Sequence, residues 1–171
     1  MRNCAFLEEF EKPKIIYPET TVRRGEFVYD DSKIYLDKTC FFISGKDLKF
    51  LNSLLNSKLI QYFLETTLRI VGKTTIQYSK QYMSNLPLPK TSEERQKPFI
   101  NLVDTILQSK ETIKKYNKHF DSLNAIDKIE IKEEIEKLEI LIKDSMEEID
   151  NMVYKLYGLS DDEIRIVEGN L

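Results

Sequence analysis

The second half of this sequence carries an apolar repeat that predicts a packed pair of long helices. One set of residues is spaced close to the a and d positions of a heptad, and its members are Ile135, Leu138, Ile142, Ile149, Met152 and Leu156. An earlier set of helical period comprises Phe99, Val103, Ile106, Ile113 and Phe120. The pattern lapses between them, near NKHFDSLNA. Two such helices joined by a short loop form an antiparallel, coiled-coil-like arm on the order of 35–50 Å long at ~1.5 Å per residue.

Signals for helix ends set the limits of this arm. TSEE at 91–94 predicts a capping box with Thr91 as the N-cap. Pro98 disfavours helical geometry in the residue before it, so we expect a short turn first and then a long helix with Pro98 in its opening turn. Gly158 can end the second helix in the left-handed conformation, and SDDE at 160–163 predicts a second capping box that opens a short helix.

The first half predicts a mixture of strands and a helix. KIIYP (14–18) and TCFFIS (39–44) have the apolar and aromatic composition of strands. EFVYD (26–30) and KIYLD (33–37) alternate around a polar turn, which predicts a β-hairpin. The helical spacing of leucines over 46–65 predicts one helix with a buried stripe.

These segments define the predicted organisation of the chain. The prolines of NLPLPK force an extended exit and mark a boundary near residue 90. We therefore predict an α+β protein, in which a small mixed α/β domain at residues 1–90 is followed by an antiparallel helical hairpin with a short C-terminal helix at residues 91–171. The residues assigned to the core of the first domain are Phe41, Phe42, Leu51, Leu55 and Leu59.

The stretch LRIVGKTTIQY (68–78) contains the triplet that ends a phosphate-binding loop. A Walker A loop has its first glycine five residues before the second, and Thr67 occupies that position here. The residues after the triplet are β-branched and alternating, which favours a strand over the helix that such a loop opens. The sequence argues against a nucleotide site, although a glycine-flanked Lys-Thr-Thr remains well suited to contact a phosphate.

Charge is divided unevenly between the two halves. Residues 1–90 hold 14 Lys and Arg against 10 Asp and Glu, whereas residues 91–171 hold 12 against 19. This asymmetry indicates that the first half meets an anion and the second does not. An ordinary solvated surface is the alternative interpretation.

Several kinds of chemistry find no support in the sequence. His119 has no Cys or Asp partner at metal-ligand spacing, and the Glu-x-Lys of DKIEIK (127–132) lies in a helix-forming run rather than on a strand like that of a nuclease site. Cys4 and Cys40, without a signal peptide, predict free thiols in a reducing cytoplasm. No apolar run approaches the ~18 residues of a membrane helix. We expect a cytoplasmic chain without a membrane span, a metal or a catalytic motif.

The order of segments resembles the TaqI-like C-terminal specificity domain. This is the target-recognition domain of adenine-N6 DNA methyltransferases and of type IIG enzymes, which fuse restriction and modification in one protein. The segments that carry the resemblance, over about residues 10–169, are EKPKIIYPE, FFISGKDLKFLNSLLNSKLIQYFL, YMSNLPLPK and IDNMVYKLYGLSDDEIRIVEG. The resemblance implies sequence-specific binding of double-stranded DNA on behalf of a methyltransferase or nuclease domain that is present in cis or in trans.

The resemblance also implies where cofactors belong. In this family an upstream catalytic domain binds S-adenosylmethionine and methylates a flipped adenine, and Mg²⁺ is expected only in the parent enzyme. This sequence has neither the glycine motif for the cofactor nor the Asn-Pro-Pro-aromatic motif for adenine. We therefore expect a fragment or a split subunit that has no cofactor and no catalytic residue of its own.

Under this resemblance the Gly-Lys-Thr stretch is a DNA-facing loop and strand. Its glycine lets the backbone approach closely, Lys73 neutralises a phosphate, and Thr74 and Thr75 offer hydroxyls to phosphates or base edges. Tyr78 and Lys80 continue the same surface.

A second basic cluster precedes the predicted β-hairpin. Arg23 and Arg24 lie in TTVRRGE, where a bidentate arginine can read guanine. Lys12 and Lys14 are candidates for contacts with backbone phosphates. For each of these candidates, a solvent-exposed side chain without a ligand is the alternative interpretation.

Two other functions remain open from the sequence. One is a protein-interaction or scaffold module built on the helical hairpin, and the other is a specificity subunit that acts in trans, like those of type I systems. Strong salt dependence of duplex binding would separate DNA recognition from the scaffold function. The sequence determines neither the target site, nor the modified base, nor the oligomeric state.

Overall fold

The computed structural model describes residues 7–22, 26–68, 70–71, 75–78 and 80–169. The strands in these ranges are β1 (Lys14–Pro18), β2 (Thr20–Thr21), β3 (Val28–Asp30), β4 (Cys40–Ser44), β5 (Ile70–Val71) and β6 (Thr75–Gln77). The α-helices are α1 (Leu7–Phe10), α2 (Leu48–Asn56), α3 (Lys58–Thr67), α4 (Lys80–Met83), α5 (Glu93–His119), α6 (Ala125–Tyr157) and α7 (Asp161–Val167). Two small sheets near the N-terminus and long helices after them confirm the predicted α+β class.

The larger sheet has β1 at its centre, between β3 and β4. Both pairings are antiparallel, so Ile15 lies opposite Tyr29 on one side and opposite Ile43 on the other. Ile15 and Tyr17 share one face of the sheet because side chains alternate along a strand, and both are buried. The strands predicted at 14–18 and 39–44 are confirmed.

The β-hairpin predicted between 26–30 and 33–37 is wrong. β3 pairs with β1, and residues 33–37 form no strand. The cause lies in Asp30, whose Oδ1 accepts hydrogen bonds from the backbone N–H and the hydroxyl of Ser32 at 3.2 and 2.5 Å. This local bonding replaces a strand ladder, and Lys33 follows with a left-handed φ of 61°.

The smaller sheet has the strand order β2-β6-β5, and both of its pairings are antiparallel. The strand predicted after the Gly-Lys-Thr triplet is confirmed by β6. A Walker A loop would open a helix at this point, so the backbone does not fit a nucleotide-binding loop.

The single helix predicted over 46–65 is two helices in the structure. Ser57, with an extended ψ of 150°, separates α2 from α3. Its hydroxyl donates to the carbonyl of Leu54 at 2.6 Å and accepts from the N–H of Ile60 at 3.4 Å, so one residue closes the first helix and caps the second. The break is too short to disturb the leucine spacing, which is why the pattern predicts one helix.

The predicted helical hairpin is confirmed by α5 and α6, which pack together and are joined by a 3-10 turn at Phe120–Ser122. Two predictions for the start of the first long helix are wrong. The N-cap is Ser92 rather than Thr91, and Pro98 lies inside one unbroken helix. A proline at this depth removes one backbone hydrogen bond, yet the helix continues because Phe99 and the residues that follow it are packed against α2.

The predicted signals at the far end of the arm are confirmed. Gly158 ends α6 in the left-handed conformation with a φ of 69°. Ser160 and Glu163 form the reciprocal capping box that opens α7. The Nζ of Lys58 on α3 lies 3.0 Å from Oε1 of Glu168, so the end of the chain returns to the first half of the molecule.

The base of the hairpin and α2 share a hydrophobic core. The buried members of this core are Phe50, Leu54, Phe99, Val103, Ile149 and Val153. The rings of Phe50 and Phe99 meet edge to face with their centroids 5.2 Å apart. Asp150 on α6 adds a polar link, because its carboxylate accepts a hydrogen bond from the backbone N–H of Lys58 at 2.8 Å. The two halves on either side of residue 90 are therefore packed into each other.

One of the five residues assigned to the core is exposed. Leu55 is fully buried, and Phe42, Leu51 and Leu59 are partly buried. Phe41 is 36% exposed, so its assignment is wrong. It lies on β4, at the edge of the larger sheet, where its side chain lines an open cleft instead of the core.

Lys14 is fully buried in spite of its charge. Its Nζ lies 2.7 Å from Oδ2 of Asp30 and donates a hydrogen bond to the carbonyl of Phe10 at 2.9 Å. Burial raises the pKa of Asp30, but hydrogen bonds from Lys14 and Ser32 outweigh that effect and hold the pKa below its usual value. The resulting stabilisation is present at neutral pH and is lost as the pH falls through the folded-state pKa of Asp30.

We expect Ile149→Ala to lower the free energy of unfolding by about 2–5 kcal/mol, because it leaves a cavity in the core between α2 and the hairpin. Ile140→Ala is the matched control on the same helix, since Ile140 is exposed and its truncation creates no cavity. Thermal and urea melts measure both changes. An equal loss of unfolding free energy in the two variants would contradict the shared core.

We expect Lys14→Ala to cost about 3–5 kcal/mol, because it leaves the Asp30 carboxylate buried without its cationic partner. Lys12→Ala is the control, since Lys12 is exposed and pairs with Glu9, three residues earlier in the chain. Urea unfolding at neutral pH should show little change for the control. A Lys14→Ala protein as stable as the parent would show that the buried pair is dispensable.

Candidate nucleic-acid interface

The smaller sheet brings the chain segments that lead into the two basic clusters to the same end. Thr21 lies opposite Ile76, and Val71 lies opposite Thr75. The end of β2, the end of β5 and the start of β6 therefore meet at one end of the sheet. The chain runs from β2 into the Arg-Arg cluster and from β5 into the Gly-Lys-Thr triplet at this end. Sequence reasoning found both clusters, and the strand pairing relates the described segments that lead into them.

Four of the predicted DNA-binding residues lie outside the described residues, and these are Arg23, Arg24, Lys73 and Thr74. Their contacts with DNA stay predictions. Thr75 lies on β6 and is partly exposed, and Val22, which precedes the Arg-Arg cluster, has 65% of its surface exposed. Val22 and Thr75 are therefore accessible to a large partner.

The chain that follows the Arg-Arg cluster is anchored on α2. Asn56 donates to the carbonyl of Phe27 at 2.8 Å and accepts from its backbone N–H at 3.0 Å, while Asn52 donates to the same carbonyl at 2.7 Å. Three hydrogen bonds to one residue fix the backbone there. Sequence reasoning missed the role of both asparagines, because helical spacing does not distinguish a polar residue in contact with a loop from one in contact with water.

Lys80 is exposed at the start of α4 and lines the same cleft as Lys38. Backbone hydrogen bonds of Glu19 explain why these two residues, which are distant in sequence, line one cleft. Its backbone N–H donates to the carbonyl of Thr39 at 2.9 Å, and its carbonyl accepts from the N–H of Tyr78 at 2.9 Å. The cleft has a volume of about 980 Å³, and several of its lining residues are aromatic. No sequence pattern indicates Lys38, since only the backbone bonds of Glu19, between β1 and β2, bring it to the same cleft as Lys80.

The structure does not support Tyr78 and Lys14 as DNA contacts. Tyr78 is 1% exposed, and its ring packs against those of Tyr17 and Phe27 at centroid distances of 6.2 and 5.7 Å. The Lys14 ammonium is already paired with the buried carboxylate of Asp30. Both residues have the chemical type of a DNA contact, but their side chains are buried in the protein.

Lys12 is exposed, but it lies apart from the smaller sheet. It precedes β1, whereas β2 and the small sheet follow the other end of that strand. Its Nζ lies 2.6 Å from Oε1 of Glu9, and this hydrogen bond together with the Glu9 charge raises the pKa of Lys12. The position can supply a phosphate contact at the periphery of the interface.

Other kinds of site find no support in the described part of the chain. No group of three or more potential ligands there is arranged to hold a metal ion. None of the helices within the described ranges combines the length and the apolar character needed to cross a membrane.

Comparison with known proteins identifies the family. The model of the TaqI-like C-terminal specificity domain matches residues 2–88, which include both sheets, α2, α3 and both basic clusters. No curated protein and no solved structure matches the chain. A match over half of the chain, which spans the surface just described, shows that this protein belongs to the family of TaqI-like C-terminal specificity domains.

Proposed function

We propose that this chain binds double-stranded DNA in a sequence-specific manner, as the specificity portion of a type IIG restriction–modification enzyme or of an adenine-specific DNA methyltransferase. The observation that carries the proposal is the strand register of the smaller sheet, because it brings the chain segments that lead into both basic clusters to one end. The family supports the general role in DNA specificity. A specificity subunit that acts in trans remains the close alternative.

The predicted DNA-contacting residues have different tasks in this proposal. Lys73 and Lys80 neutralise phosphates and hold the duplex in register, which adds affinity without sequence information. Arg23 or Arg24 reads a base edge in the major groove through a bidentate contact with guanine. The anchoring of Phe27 by α2 supports this task, because a rigid scaffold reduces the cost of ordering a reading loop.

The chemistry belongs to another domain in this proposal. A methyltransferase domain, in cis or in trans, binds S-adenosylmethionine and acts on the adenine, and Mg²⁺ serves an attached nuclease. The chain itself takes no cofactor and works in the cytoplasm, where its DNA lies. Calorimetric titration of the chain with S-adenosylmethionine tests this division, and clear micromolar binding would contradict it.

We expect Lys73→Ala and Lys80→Ala to weaken binding to all duplexes alike and to lower the salt slope by about one each, as expected for phosphate contacts. The parent chain alone should bind near the ~10⁻⁴–10⁻⁶ M of non-specific complexes. Fluorescence anisotropy of a labelled duplex across a salt series measures both quantities. Lys143→Ala, which removes an exposed lysine from α6, is the control and should leave the slope unchanged. If Lys143→Ala lowers the salt slope and the other two variants do not, the DNA binds to the hairpin instead.

We expect Arg23→Ala or Arg24→Ala to cost about 1–3 kcal/mol in binding to the cognate site and to erode the preference for it, because a base-specific contact is lost. The preference is measured as the ratio of affinities for the cognate and a scrambled duplex, in the full enzyme if the chain binds too weakly. Lys73→Ala is the control, since it should leave this ratio intact. If neither arginine changes the ratio, the base-reading surface lies elsewhere.

A further inference from the structure

The outward side of α6 carries a second apolar seam that nothing in the described structure covers. Ile126, Ile129 and Ile140 are 71%, 60% and 54% exposed. At about 100° per residue they lie within roughly 60° of one another around the helix. Ile140 is half a turn away from Ile149, which is buried in the core, so the exposed isoleucines face away from the molecule.

Two glutamates complete the seam. Glu133 and Glu136 are exposed between Ile129 and Ile140, and the positions from Ile126 to Ile140 alternate three and four residues apart. This is the a/d spacing of a helix that packs against another helix. Within the described part of the chain, neither of the two carboxylates has an ion-pair partner.

The charge of the seam decides which kind of helix covers it. A second copy of this chain, paired through the same seam, would bring the central glutamates of the two copies together at a cost from like-charge repulsion. Duplex DNA would be repelled for the same reason. A helix with apolar residues at its ends and lysine or arginine at its centre matches the isoleucines and the glutamates together.

We propose that the outward side of α6 is a docking surface for a basic amphipathic α-helix of another protein, which packs on Ile126, Ile129 and Ile140 and pairs its central cations with Glu133 and Glu136. This surface lies on the acidic arm and is independent of the proposed DNA-binding residues. It gives the hairpin a recognition function of its own.

The test uses the full chain and two synthetic helices of about three heptads. Both helices carry isoleucine at the outer seam positions, and their two central seam positions are lysine in one helix and glutamate in the other. Anisotropy of the labelled helices should show binding of the lysine helix to the parent chain at least about tenfold tighter than binding of the glutamate helix.

The double variant Glu133→Lys/Glu136→Lys should reverse that preference, and Ile129→Ser should weaken both helices. The control double variant Glu11→Lys/Glu111→Lys changes the net charge equally at exposed positions off the seam and should keep the parental preference. Thermal melts confirm that each variant is folded. No preference in the parent, or a preference that the charge reversal leaves unchanged, would overturn the proposal.

Self-association is the remaining outcome to measure. Sedimentation equilibrium of the parent chain should show a monomer, and a dimer that Ile129→Ser dissociates would overturn the proposal by assigning the seam to a second copy.

Discussion

Helix α2 is packed on two sides, and the arrangement of the whole molecule depends on it. Leu48 and Leu55 belong to the core beneath the sheets, whereas Phe50 and Leu54 belong to the core at the base of the hairpin. A helix with two buried sides cannot rotate about its axis without exposing one of them to water, which costs about 1.5–3 kcal/mol for each large apolar side chain. A helix of nine residues therefore fixes the orientation of the helical arm relative to the sheets.

Buried polar contacts make this relative orientation more specific. The amides of Asn52 and Asn56 bind the backbone of Phe27, and the carboxylate of Asp150 binds the backbone of Lys58. A buried polar group without a hydrogen bond is costly, so each of these contacts penalises alternative packings that apolar side chains would tolerate. Phe27 follows the Arg-Arg cluster closely in sequence. A surface that reads DNA gains from such support, because its geometry is held before the duplex arrives.

Charge divides the molecule in a way that suits two different partners. The first half has an excess of Lys and Arg and contains both basic clusters, while the second half is acidic. In the proposed function the duplex meets the end of the smaller sheet, and the acidic arm stays away from phosphates. The proposed helix-binding seam lies on that arm, where carboxylates favour a basic protein partner. The two proposals thus use opposite charge on separate surfaces and can be tested separately.

Some features of this protein follow from local sequence alone. The long helices are predictable because an apolar repeat of helical period predicts a helix with one buried side. Gly158 and the Ser160–Glu163 capping box act within a few residues of their position in the chain. The central strand and the strand β6 are also predictable, since their β-branched and aromatic residues favour extended backbone. The family resemblance is likewise carried by contiguous segments, which is why it can be stated without a structure.

Tertiary structure decided the features that depend on which strand pairs with which and on which side of an element is covered. The 33–37 segment alternates like a strand, but the Asp30–Ser32 bonds and the pairing of β3 with β1 leave it without a ladder. Lys14 and Tyr78 have the chemistry of DNA contacts, but their side chains are buried. The common end of the smaller sheet arises from pairing between residues more than 50 positions apart. Lys38 and Lys80 line one cleft because backbone hydrogen bonds of Glu19 join the two chain segments. Periodicity and composition report on a segment and its own sides, whereas burial and proximity are properties of the packed chain.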